Sequence, residues 1–109
     1  MELSFDTEVL RKICEDEKEA EALYGPVISE QLKNRLADLW AAYTISDLVV
    51  GNPTEIQNTE IPCYQVSLKE NYLLIFCANH VNLPYLESGK ANWTKINRIK
   101  ILSIASTNE

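Results

Sequence analysis

Residues 28–43, ISEQLKNRLADLWAAY, decide how this chain is read, because Ile28, Leu32, Leu36, Leu39, Trp40 and Tyr43 fall at spacings of four, four, three, one and three. Those intervals place all six on one continuous apolar stripe of a helix, and they predict that the stripe, Trp40 included, is core. Residues 63–78, CYQVSLKENYLLIFCA, have a different period. Tyr64, Val66 and Leu68 alternate with Gln65 and Ser67, Lys69-Glu70-Asn71 supplies a turn, and Tyr72 to Ala78 is almost wholly apolar. That pattern predicts a hairpin whose second strand lies near the middle of a sheet.

Gly25-Pro26 precedes the stripe and predicts the end of one helix and the start of the next, since Gly tolerates a left-handed cap and Pro suits a first turn. The earlier helix begins at a cap supplied by Asp6 or Thr7, carries Leu10, Ile13 and Cys14 on one face, and runs to Tyr24. Before it, Leu3 and Phe5 alternate in a short strand over Met1 to Phe5. After the stripe, Thr44 and Asp47 can form a capping box for a turn that buries Ile45, Leu48 and Val49, and Gly51-Asn52-Pro53 stops it. Residues 51–62 read as a polar loop, residues 79–92 as a second long loop, and the Ile-rich segment Ile96 to Ala105 as the last strand. The predicted order is β-α-α-β-β-β. Two amphipathic helices that bury one face of an antiparallel sheet make an α+β two-layer domain spanning residues 1–109.

At 109 residues, with 46% hydrophobic and 24% charged, the chain is long enough to bury a core without disulfides or a metal. Cys14, Cys63 and Cys77 are widely spaced and form no CxxC pair, so they read as small buried residues in a reducing compartment. The start, Met-Glu-Leu-Ser-Phe-Asp, has no signal-peptide pattern, and no apolar run approaches the ~20 residues of a membrane span, so the expectation is a soluble, cytoplasmic protein. The net charge of −6 opposes a general nucleic-acid binder. Its distribution is uneven: residues 1–62 hold five Lys or Arg against thirteen Asp or Glu, a balance of −8, and residues 63–109 hold five against three, a balance of +2. The acidic run Glu15-Asp16-Glu17 with Glu19 and Glu21 reads as a solvated helix face.

Several stretches together resemble a known family. Lys12-Ile13-Cys14-Glu15-Asp16, Glu19-Ala20, Tyr24-Gly25, Leu32 to Trp40 and Ser46-Asp47-Leu48 resemble the N-terminal half of the HigB-like killer proteins of the RelE/ParE toxin superfamily. Tyr72 to Phe76 and Trp93-Thr94-Lys95-Ile96 through Lys100-Ile101-Leu102 resemble that family's central and final strands. The resemblance implies a RelE/ParE-like fold and the toxin of a bacterial type II toxin-antitoxin system. Such a toxin cuts mRNA on the ribosome and is held inactive by a helix-turn-helix antitoxin. The resemblance leaves two further readings open: a homologue that binds its antitoxin without catalysis, and an inhibitor of another target such as DNA gyrase.

Ribonucleolytic cleavage needs a group to activate the ribose 2′-hydroxyl, a group to protonate the leaving oxygen, and cations for the phosphate. The resembling enzymes draw these from a basic loop before the hairpin, an Arg in the central strand, and a Tyr-His type ending. Here residues 52–61 hold no Lys, Arg or His, Leu73 stands where the strand Arg is expected, and the chain closes Ser106-Thr107-Asn108-Glu109. His80, the only histidine, is the candidate acid or base, although a lone loop His is more often ordinary surface. Lys69, Lys95, Arg98 and Lys100 are the candidate RNA-binding set, with Arg98 and Lys100 on one strand face; exposed strands also carry such charges for solubility. Tyr64, Tyr72 and Tyr85 can stack on a base, but packing is the commoner use of a strand Tyr. No Gly-rich phosphate loop, metal-ligand spacing or nucleophile-His-acid set is present, so neither cofactor nor metal is expected.

Overall fold

A computed structural model describes residues 1–107. Strand β1 (Glu2–Phe5) leads into helix α1 (Glu8–Glu15), whose cap is Thr7: its hydroxyl accepts from the Leu10 amide at 3.0 Å. The predicted run to Tyr24 is interrupted at Asp16. That residue is extended, and its carboxylate accepts from the Lys18 amide, so it caps a new helix where the sequence shows only helix formers. Helix α2 (Glu17–Ala41) is broken in turn at Gly25, which sits at φ 85°, ψ 168°. The two halves fold back on each other there. Ser29 donates to the Glu17 carbonyl and Lys33 pairs with Glu17 at 3.7 Å, although a straight helix would hold residues twelve apart about 18 Å from each other. The Gly25-Pro26 expectation is therefore met.

A 3-10 turn at Ile45–Asp47 follows, with the Asp47 carboxylate accepting from the Tyr43 and Thr44 amides. Three strands lie beyond it: β2 (Thr54–Ile56), β3 (Cys63–Ser67) and β4 (Tyr72–Ala78). A second 3-10 turn at Trp93–Lys95 then leads into β5 (Arg98–Ser106). The sheet order is β1-β5-β4-β3-β2, so β4 is indeed the middle strand.

Two expectations are corrected here. The sheet is mixed and not antiparallel, because β1 runs parallel to β5 with Glu2 opposite Arg98 and Phe5 opposite Ile101. The polar segment 51–62 is not all loop: Thr54, Glu55 and Ile56 pair with Gln65, Tyr64 and Cys63 as an edge strand. An edge strand buries little, so its residues show no apolar alternation to read.

The helices cover one face of the sheet. Ile28, Leu32, Leu36 and Leu39 of α2 meet Val66, Leu74, Phe76, Ile99 and Ile101, all buried in one cluster with Leu10, Ile13, Ile45 and Trp93. The stripe does not stay buried to its end. Trp40 is 59% exposed and Tyr43 81%, and Val49, expected under the 3-10 turn, is 90% exposed. Trp40 lies in the last turn of α2, and Tyr43 and Val49 lie beyond it: the helix ends at Ala41, and the extended backbone of Ala42 stops the stripe from continuing as helix to Tyr43. Among the described residues, no helix is long and apolar enough to cross a membrane.

Candidate functional site

Strand alternation assigns the sheet's face away from the helices. Leu74 and Phe76 point into the core, so Leu73, Ile75 and Cys77 point away, with cross-strand neighbours Ser67 and Ala105, Gln65 and Ser103, and Cys63 and Lys100 respectively. Leu73, the position of the expected strand Arg, therefore does face outward, but its surroundings are neutral. Lys100 is the cation of these three cross-strand rows, and its ammonium lies 3.8 Å from Asp6.

The candidate residues divide between the two ends of the sheet. His80, Lys95 and Arg98 gather at the end where β4 finishes and β5 begins. Lys69 sits in the β3–β4 turn at the opposite end, about 20 Å away along β4. Thr107, of the closing segment, also lies at that far end, where its amide and hydroxyl both donate to the Asn71 carbonyl. Asn108 and Glu109 lie outside the described residues. One phosphate cannot be reached by both groups.

Within the gathered set His80 and Arg98 have partners. His80 Nε2 accepts from the amides of Asn97 and Arg98 at 3.1 and 3.3 Å, which places the ring proton on Nδ1 and uses the imidazole to fix the entry into β5. Arg98 Nε lies 3.1 Å from Glu2. Such exposed ion pairs are worth ~0–1 kcal/mol and a phosphate can displace them. Glu2 of the first strand and Asp6 just after it, which pair with Arg98 and Lys100, return negative charge to the start of β5.

The tyrosines are used in packing. Tyr64 meets Trp93 edge-to-face at 4.6 Å, and Tyr72 meets Tyr24 in the same way at 5.6 Å. Burial foremost raises the Tyr64 and Tyr24 hydroxyls above their ordinary values, with the Glu55 carboxylate adding to the effect at Tyr64 and the neighbouring Tyr72 adding to it at Tyr24. Of the three tyrosines considered for base stacking, Tyr85 is the exposed one. Among the described residues, no three His, Cys, Asp or Glu side chains come together as a metal site.

The surface that sequence reasoning missed is at the end of α2. Two adjoining clefts of about 360 and 380 Å³ share Ala41, Ala42 and Tyr43. One continues over Leu48, Val49 and Val50; the other continues past Trp40 to Met1 and Asn97. Asp38 and Asp47 border the first cleft, and Glu2 and Arg98 border the second. Exposed aromatic and branched side chains lie beside carboxylates that are already engaged, Asp38 by Arg35, Glu2 by Arg98 and Asp47 by the Tyr43 and Thr44 amides, and form a surface suited to an apolar ligand. The helical spacing of Trp40 and Tyr43 contained this surface but could not distinguish a covered stripe from an uncovered one. No family model, curated protein or solved structure matches the chain.

Proposed function

We propose that this chain is a toxin-like member of a two-protein toxin-antitoxin pair that acts by holding a protein partner. The observation that carries this reading is the uncovered end of α2, where Trp40, Tyr43, Val49 and Val50 surround the two adjoining clefts. The partner fits as a basic, apolar-faced helical segment of the cognate helix-turn-helix antitoxin. Its apolar side chains would seat against Trp40 and Tyr43, and its Lys or Arg residues would meet a chain of net charge −6. The β-α-α-β-β-β order, to which β2 adds an edge strand, supports the toxin-like fold. The neutral surroundings of Leu73 favour binding over cleavage.

Ribosome-dependent mRNA cleavage is the second reading, favoured by the convergence of His80, Lys95 and Arg98 at one sheet end. Induction of the chain alone, with and without the helix-turn-helix protein encoded beside it, separates the two. Binding predicts intact transcripts and co-purification that Trp40→Ala with Tyr43→Ala abolishes. Cleaved transcripts would transfer the case to the second reading. Failure to co-purify with the unaltered chain would remove the first.

A further inference from the structure

Cys63 and Cys77 are far apart in sequence but adjacent in the sheet. They stand directly opposite each other on neighbouring antiparallel strands and share the face away from the helices. Hydrogen bonding shows which kind of rung they occupy. The Ala78 amide donates to the Pro62 carbonyl at 2.9 Å, and at the turn end the Leu68 amide donates to the Tyr72 carbonyl at 2.8 Å. Counting alternate rungs between these two makes Cys63–Cys77 a non-hydrogen-bonded pair. Such pairs bring the Cα atoms to about 4.5 Å, inside the span of about 4.4–6.8 Å that a disulfide bridges. Both residues are free thiols.

We propose that Cys63 and Cys77 form a redox-active dithiol that closes to an intramolecular disulfide, with hydrogen peroxide as the oxidant. One thiolate sulfur attacks a peroxide oxygen, the O–O bond breaks, and a sulfenic acid forms with release of hydroxide, which takes up a proton as water. The second thiol then attacks that sulfur; the S–O bond breaks, the S–S bond forms, and a second water leaves. Two thiols and one peroxide give one disulfide and two waters, a two-electron oxidation of the cysteines balanced by reduction of the peroxide.

The surroundings agree with this assignment. The Cys63 thiol donates to the Ile61 carbonyl at 3.2 Å. Burial first, and Cys63 second, push the Cys77 thiol above its ordinary value, while the ammonium of the facing Lys100 pulls it down. Both residues are buried, so oxidation is slow, and the disulfide is in turn shielded from a third thiol. Cys14 is an internal control. It sits on α1, away from the sheet face, and burial with the Glu15 carboxylate pushes its thiol up to about 12.

The test is intact-mass analysis of the folded full chain after hydrogen peroxide, quenched by alkylation under denaturing conditions. The expected product has lost two hydrogens, takes up one alkyl group, and yields a Cys63–Cys77 cross-linked peptide. Dithiothreitol returns three alkylatable thiols. Cys14→Ser retains the loss, whereas Cys63→Ser and Cys77→Ser abolish it. Three alkylatable thiols after oxidation, a bridge that includes Cys14, or stable oxygen adducts on Cys63 or Cys77 would each overturn the assignment. The wild-type mass decides this even if a variant folds poorly.

Discussion

The two ends of the helix segment after Pro26 carry the same kind of side chain and meet opposite fates. Ile28, Leu32, Leu36 and Leu39 are buried against the sheet, whereas Trp40 and Tyr43, on the same periodic stripe, are in solvent. Periodicity reports that a helix has an apolar side; it does not report how far the neighbouring layer extends. Here the helix ends at Ala41, and the exposed Trp40 and Tyr43 at and beyond its last turn become surface available to another molecule.

The comparison can be broken most severely at its buried end. Leu32→Ala should cost about 2–5 kcal/mol, the range for an aliphatic core truncation that leaves a cavity, measured by denaturant unfolding. A loss comparable to that of a surface mutation would mean that the stripe is not core even where the structure buries it. Next in size is the break that lets the helix fold back. A Cβ at Gly25 would meet nothing within 4 Å, so Gly25→Ala reads the backbone conformation alone. At φ 85°, ψ 168° that should cost about 1–3 kcal/mol. An unchanged midpoint would show that the two halves do not turn there.

A titration sharpens the contrast further. Cys14 lies beside the buried side of the helices, and its folded-state thiol is held up to about 12 against an ordinary value near 9. A raised acid favours the protonated fold, so its stabilisation is complete below pH ~9 and is lost as pH rises toward ~12. The unfolding midpoint should fall across that window, and fall less steeply in Cys14→Ser. Equal slopes would show that the thiol is not buried as described. The smallest effect belongs to the exposed end: Trp40→Ala and Tyr43→Ala should each change stability by under about 0.5 kcal/mol. A larger loss at either would mean that the end of the stripe is covered after all.

Much of the architecture was legible because local rules and packing agree. Gly25-Pro26, the hairpin turn Lys69-Glu70-Asn71 and the central position of Tyr72–Ala78 each combine a backbone requirement with an apolar pattern. The break at Asp16 was hidden because an acid among helix formers reads as solvated surface, and only its extended backbone shows it to be a cap. Strand β2 was hidden because Thr54-Glu55-Ile56 is held by pairing with β3 and by the Glu55 carboxylate accepting from Trp93 Nε1 at 3.0 Å, both long-range contacts. The candidate site fared less well. A one-dimensional list of cations does not contain Glu2 and Asp6 opposite Arg98 and Lys100, because the parallel pairing that brings them together joins the two ends of the chain.

That parallel pairing also sets an order of events during synthesis. Strand β1 is made before the other strands, yet its partner residues run from Arg98 to Ile101. Until the ribosome has supplied β5, Leu3 and Phe5 have no strand beside them, and the middle strand β4 lacks one of its two neighbours. The hairpin and the helices can form early, but the sheet closes only when residues through β5 are available. Contacts of such long sequence separation slow folding through the entropy of closing the intervening loop. Nascent chains halted before β5 should therefore remain protease-sensitive, with the assembled core appearing only once β5 has been supplied.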